Sequence, residues 1–140
     1  MNTKRTFSLL IALTTLLLGT AQARVVTILP FDGDSVHEQI RSAARDALSI
    51  FLSDHKVDVR ANSLTDVTQE PRAADAAAKA AGATHYIRGR ITRLGHRAIV
   101  QVTRFAVGQA TAEHSDRMTA NTPSDLETVM QRLANSLATG

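Results

Sequence analysis

The chain has 140 residues, with 16 Lys and Arg against 13 Asp and Glu, a formal net charge of +3 and a pI of about 10.0. Two of the basic residues, Lys4 and Arg5, lie in an amino-terminal segment that we expect to be removed, which leaves 14 basic residues against 13 acidic ones. The high pI therefore gives no support for nucleic-acid binding. The chain has no cysteine, which excludes disulfide bonds, thiol nucleophiles and a lipid anchor on a cysteine after the leader.

The first 23 residues have the pattern of a secretory signal peptide. Lys4 and Arg5 precede an apolar run from Phe7 to Leu18, and Ala21-Gln22-Ala23 then supplies a small-x-small cleavage site. A permanent anchor needs about 20 apolar residues, and this run is shorter. The sequence therefore predicts cleavage after Ala23 and export of residues 24–140 to the periplasm, with no integral membrane anchor.

The first elements of the exported domain are a strand and a helix. Arg24 to Leu29 is β-branched and almost continuously apolar, which is typical of a strand buried on both faces. Pro30 to Asp34 ends this strand. Ser35 and Glu38 have the spacing of a capping box, which predicts a helix start here. The helix has an apolar stripe of Val36, Ile40, Ala43, Ala44, Ala47, Leu48 and Phe51, with Glu38, Arg41, Arg45 and Asp46 outside it.

A short strand and a second helix come next. Val57 to Arg60 alternates like a strand, and residues 61–70 are polar and irregular. Pro71 is tolerated in a first helical turn, and Ala73 to Ala81 has high helix propensity. Gly82 is predicted to end this helix as a left-handed cap.

The remainder of the chain predicts three strands and a third helix. Strands over 84–93 and 97–106 are joined by a short loop that contains Gly95. A weaker third strand is predicted over 109–119. The last helix begins near Thr122, and its apolar face consists of Leu126, Val129, Met130, Leu133 and Leu137.

This order predicts the α/β fold class in one domain. Strands joined through a helix can pair in parallel, whereas strands joined by short turns pair antiparallel. We therefore expect a mixed parallel and antiparallel sheet of about five strands, covered by about three helices in two or three layers.

Two stretches of the chain resemble TolB amino-terminal-like domains. Val25 to Asp32, followed by an amphipathic helix and by Val57 to Arg60, is similar to the opening of that family. Ala80 to Ile91 is similar to its second signature, a helix that ends in Gly-Ala and an apolar strand that holds a Gly. Related domains occur in envelope proteins of the CsgG and LpoB type. The resemblance covers residues 24–138 and implies an envelope domain that works through protein contacts, with no catalytic centre.

Motifs for catalysis and for cofactors are missing from the sequence. The five histidines form neither an i, i+4 metal pair nor H-E-x-x-H, and neither phosphate-binding glycine motif occurs. His114-Ser115-Asp116 has the residue types of a triad, but neighbours on a strand alternate faces. Asp32, Asp34 and Glu38 could hold calcium, or could simply end the strand and favour the start of the helix. The sequence predicts a protein that is not an enzyme and has no cofactor or metal.

Basic residues concentrate on the predicted hairpin. Arg88 and Arg90 share one face of the first strand, and further basic residues lie at the turn and on the second strand. Such a patch could dock an acidic protein, phospholipid headgroups or a polyanionic polymer. The alternative is a solvated face whose arginines pair with Glu113 or Asp116 across the ladder. The candidate partner-binding residues are Arg88, Arg90, Arg93, His96, Arg97 and Arg104.

These patterns together predict an exported, non-catalytic interaction or adaptor domain that acts in cell-envelope assembly or transport. Its expected partners are envelope proteins, with homo-oligomers as a further possibility and nucleic acid excluded. The alternative is a protein that binds a small ligand or an anionic envelope polymer through the basic hairpin. A hydrolase with an unfamiliar site is a third hypothesis. A deep apolar pocket would favour the ligand binder, and an exposed sheet edge would favour a protein partner.

Overall fold

The computed structural model describes residues 24–140, so the predicted signal peptide and its cleavage site lie outside the described residues. None of the helices in the described part is long and apolar enough to cross a bilayer. In chain order the elements are β1 (Val25–Ile28), α1 (Glu38–Asp54), β2 (Asp58–Arg60), α2 (Pro71–Ala80), β3 (His85–Leu94), β4 (Arg97–Ala106), β5 (His114–Ala120), a 3₁₀ turn (Pro123–Asp125) and α3 (Leu126–Thr139).

The five strands form one mixed sheet in the order β2-β1-β3-β4-β5. β1 pairs in parallel with both β2 and β3, and each of these pairings is reached through a helix. β3, β4 and β5 are joined by turns and pair antiparallel. The predicted fold class and the predicted mixture of parallel and antiparallel pairing are confirmed.

β1 is the central strand of the parallel half and is buried on both faces, as its continuous apolar run predicts. Val26 and Ile28 face one core, and Leu29, which directly follows the strand, faces the other. Thr27 is fully buried, and its hydroxyl donates a 2.6 Å hydrogen bond to the carbonyl oxygen of Arg60. A polar side chain is tolerated there because its hydrogen bonds are satisfied.

The helices divide into two layers around the sheet. The larger core lies between the sheet and α1 with α3, and the smaller core lies beneath α2, where Leu29, Ala74, Ala78 and Tyr86 pack together. Tyr86 also stacks on Phe105 at a ring-centroid distance of 5.2 Å. The larger core includes Ile28, Leu48, Leu52, Ile87, Ile91, Val100, Val102, Met130, Leu133 and Leu137.

Gly89, inside β3, leaves room for an aromatic ring. A Cβ on Gly89 would lie 2.2 Å from the ring of Phe31, which is itself only 2 % exposed. Phe31 therefore crosses β3 where a side chain is missing. Glycine inside a strand often marks a close approach, and here the approaching group is an aromatic ring of the same domain.

Two predicted boundaries were wrong. α1 begins at Glu38 with His37 as its N-cap, and no side chain caps it. Ser35 has φ of +60°, which is outside the geometry of an N-cap residue. A capping box is formed instead by Thr122 and Asp125 before α3. β5 begins at His114 rather than at residue 109, because the segment after Gly108 turns before it rejoins the sheet.

Candidate partner-binding surfaces

The structure places the six candidate residues of the hairpin in three different environments. Arg88 and Arg90 lie on the sheet face that α2 covers only in part. Arg93, His96 and Arg97 lie at the turn, where they line a groove. Arg104 lies in the core and is 3 % exposed. One continuous basic patch is therefore not formed.

Arg104 is buried, and its hydrogen bonds join β4 to Glu113 and to the end of α3. Its Nε donates to Glu113 at 3.2 Å, and its guanidinium also donates to the carbonyl oxygens of Leu137 and Gly140 at the end of α3. His85 lies 3.1 Å from the same carboxylate. Burial by itself would raise the pKa of Glu113, but His85 and Arg104 beside it bring that pKa below its usual value. Arg104 thus pairs with Glu113, as the alternative expected, but it does so in the core and not on a solvated face.

The sequence contained a signal for the burial of Arg104. Val100 and Val102 precede it at a spacing of two, and both are fully buried. Because side chains two apart on a strand share a face, Arg104 points toward the same core. The alternation therefore separates it from Arg88 and Arg90.

The second environment is the sheet face opposite α1 and α3. The strand register places Arg90, Gln101 and Arg117 in one row across β3, β4 and β5, and all three are exposed. We call Arg90, Gln101 and Arg117, with the neighbouring Arg88, the arginine face. Sequence reasoning missed Arg117, which only the register with β4 brings into the same row as Arg90.

The guanidinium groups of the arginine face differ in how many contacts they make with the rest of the domain. Arg88 donates to the carbonyl oxygen of Thr68 and lies 5.8 Å above the Tyr86 ring, so it is fixed by its neighbours. Arg90 is 55 % exposed and is 3.8 Å from Asp34, a contact that water weakens. Arg90 and Arg117 therefore remain available to a partner.

The third environment is a groove at the turn end of the hairpin. It has a volume of about 370 Å³ and lies between α1, the β3–β4 turn and the start of α3. Its walls are mainly apolar, and Arg93, His96 and Arg97 stand along one end. The apolar lining consists of Val36, Ile40, Ala43, Ile91, Ala98, Ala120, Pro123 and Leu126.

A second cavity of about 430 Å³ continues this groove between α1 and α3. Ala43, Pro123 and Leu126 line both cavities. We call the two together the apolar groove.

The large apolar side chains that are exposed in residues 24–140 are Ile40 at 42 %, Ile50 at 61 % and Leu94 at 57 %. Ile40 and Ile50 line the groove, whereas Leu94, at the hairpin turn, lines neither cavity.

The carboxyl end of β1 lies at a topological switch point, where open α/β sheets often bind ligands. Here the nearby guanidinium groups face backbone carbonyls. Arg45 donates through two nitrogens to the carbonyl oxygen of Ile28, and Arg41 donates to that of Phe31. The expectation that Arg41 and Arg45 face outward was wrong, since both are half-buried.

The acidic cluster beside this switch point is dispersed. Asp32 accepts a 3.0 Å hydrogen bond from Gln69, whereas Asp34 is nearly fully exposed. Within residues 24–140, no three His, Asp or Glu side chains come close enough to hold a metal ion.

The residues of the triad-like sequence separate as strand alternation predicts. His114 lies opposite Arg104 on the core face, and its ring is 2.8 Å from the Ser136 hydroxyl. Ser115 lies opposite Thr103 on the open face. The serine and the histidine of this sequence therefore cannot act together.

No protein-family model matches the chain, and no curated sequence matches it. Among solved structures, the PelC dodecamer from Paraburkholderia phytofirmans is similar at 17 % identity and a TM-score of 0.61, over 85 % of this chain and 88 % of that one. Lipoprotein GNA1162 from Neisseria meningitidis is similar at 10 % identity and a TM-score of 0.59, over 84 % and 99 %.

TolB from Acinetobacter baumannii is similar at 14 % identity and a TM-score of 0.56, over 83 % of this chain and 27 % of that one. At such identities the likeness shows the fold alone. The resemblance to TolB-type domains is thus confirmed for the fold.

Proposed function

We propose that this chain is an exported, non-catalytic interaction domain that acts in assembly or transport within the bacterial cell envelope. The observation that carries the proposal is the arginine face. Arg90 on β3 and Arg117 on β5 project into solvent on either side of Gln101 on β4, on a part of the sheet that no helix in residues 24–140 covers. A flat, basic and polar surface of this kind fits an acidic surface of a partner protein.

The physical reason is electrostatic complementarity. Exposed guanidinium groups retain most of their hydration while the domain is free, and they gain charge-assisted hydrogen bonds when carboxylates approach. Such contacts raise the association rate and fix orientation more than they add affinity. Gln101, between the two arginines, supplies a further donor and acceptor.

The envelope location is supported by two independent features. The leader pattern over residues 1–23 predicts export, and a protein of the same fold, GNA1162, is a lipoprotein. We infer that the domain is periplasmic after removal of the leader. Self-association is also compatible with the fold, since PelC forms a dodecamer.

The proposal is tested by crosslinking in the producing cell, with the tagged full-length chain as bait. We expect one envelope protein to be recovered well above the level of an unrelated exported domain. The variant Arg90→Glu/Arg117→Glu should lose that protein. Its matched control, Arg72→Glu/Arg132→Glu, changes charge equally at exposed sites on α2 and α3. Equal recovery with both variants would contradict a role for the arginine face.

An anionic envelope polymer is the second candidate partner, because a row of separated arginines can also follow a repeating negative charge. A small ligand in the apolar groove is a further alternative that the 370 Å³ cavity favours. In the same capture experiment, either alternative would leave the bait without a protein partner. Carbohydrate and lipid analysis of the eluate would then separate the two.

A further inference from the structure

We propose that the apolar groove is the contact surface between two copies of this chain, related by a two-fold axis. This inference does not depend on the envelope partner proposed above, because the arginine face lies on the opposite side of the sheet. Its basis is the shape, apolarity and charge distribution of the groove.

The groove is an extended surface rather than a closed pocket. It follows α1 from Gln39 to Ile50, a length of about 17 Å at 1.5 Å per residue. Ile40 and Ile50 project along it and are 42 % and 61 % exposed. Contiguous exposed apolar surface on a small domain marks an interaction site. Its elongated form suits a protein surface better than a compact small molecule.

The two ends of the groove carry opposite charge. Arg93, His96 and Arg97 stand at the hairpin end. Glu127 lines the far half. Among the described residues that line this half, it is the one with a charged side chain. Asp46 lies on the exposed surface of α1 between Ala43 and Ile50, at the i+3 and i−4 spacings that bring side chains together.

This polarity makes the groove complementary to itself when the second copy is reversed. In a two-fold contact, the same surface is used by both subunits and each residue pair occurs twice. Reversal brings the basic end of one groove onto the acidic end of the other, and the apolar middles face each other. A parallel arrangement would instead oppose like charges, which is unfavourable.

The first test measures self-association directly. Protein expressed from the full coding sequence and purified is examined by sedimentation velocity over a range of concentrations. We expect a reversible dimer, and we expect Ile50→Lys to weaken it at least about tenfold, because the added positive charge lies in the half of the groove that faces the basic end of the other copy. Ile50 is exposed in the free domain, so this change should leave the melting temperature nearly unaltered. A wild-type protein that stays monomeric at every concentration would overturn the inference.

The second test exploits the symmetry. Arg93→Glu/Arg97→Glu makes both ends of the groove acidic, and Asp46→Lys/Glu127→Lys makes both ends basic. Each variant alone should be monomeric, since both copies of the end contact become repulsive. An equal mixture should form a heterodimer, because an all-acidic groove then faces an all-basic one and both contacts are restored.

The control is Arg117→Glu, which changes charge on the arginine face and should dimerise like the wild type. Folding of every variant is checked by circular dichroism. If the mixture of folded variants stays monomeric, or if dimerisation responds to Arg117→Glu as strongly as to the groove variants, the two-fold groove contact is wrong. Saturation of the groove by a co-purified lipid, seen in native mass spectrometry of a monomer, would also contradict it.

Discussion

Helices cover the parallel part of the sheet on both faces and cover the antiparallel part less completely. In the parallel half, β2-β1-β3, the central strand is buried on both faces by helices, and even Thr27 is removed from water. In the antiparallel part, formed by the turn end of β3 with β4 and β5, α1 and α3 cover one face, and the other face presents Arg90, Gln101 and Arg117 to solvent. Parallel pairing requires crossover helices that cover the sheet, whereas hairpins bring no cover with them. We therefore expect the parallel part to contribute most of the stability of the fold, and the antiparallel part to supply the surface that binds a partner.

The largest effect should come from a cavity in the helix-covered core. Leu48→Ala removes a side chain of α1 that is fully buried, and we expect a loss of about 3 kcal/mol in the free energy of unfolding. Ile99→Ala, on the open face and only half-buried, should cost about 1 kcal/mol. Urea denaturation of both variants measures the difference. Equal losses would contradict the unequal coverage of the two faces.

A somewhat smaller loss should follow from adding a side chain where the two halves meet. Gly89→Val places atoms where the Phe31 ring lies 2.2 Å from the added Cβ, and overpacking of this kind costs about 2–3 kcal/mol. Thr92→Val, on the exposed face of the same strand, is the matched control and should change stability by less than about 0.5 kcal/mol. Thermal melts of the two variants provide the comparison.

A modest, pH-dependent effect is expected from the Glu113 carboxylate, which contacts Arg104 on β4 and His85 on β3. The lowered pKa of Glu113 means that its ionised form is favoured in the folded state. Its contribution to stability is therefore complete above the unfolded-state pKa of about 4.3 and is lost as pH falls through the lower folded-state pKa. Because the carboxylate is 38 % exposed, Glu113→Gln should cost at most about 1 kcal/mol at pH 7. The difference in melting temperature between the variant and the wild type should narrow as the pH falls below the unfolded-state pKa.

The smallest stability change should come from the arginine face itself. Arg90→Glu/Arg117→Glu replaces exposed side chains, so the free energy of unfolding should move by less than about 0.5 kcal/mol. Capture of the envelope partner should nevertheless be lost. A fall in melting temperature as large as that of Gly89→Val would show that these arginines stabilise the fold instead.

The candidate site could be predicted from the sequence only in part. The concentration of basic residues on the hairpin is visible in the sequence, and the alternation through Val100 and Val102 also indicates that Arg104 points inward. Arg117 was missed because its position in the same row as Arg90 depends on a register that two intervening turns set. The apolar groove has no sequence motif, since its walls come from α1, the hairpin turn and α3.

The sequence by itself determined the type and order of the elements, the double burial of β1 and the mixed pairing of the sheet. These features follow from apolar periodicity and connection length, which act over a few residues. The tertiary structure alone decided which sheet face stays open, that Phe31 lies over Gly89, and that six basic residues separate into a face, a groove and a core. Such outcomes depend on contacts between residues far apart in the chain, and local periodicity says which side chains share a face but not what covers it.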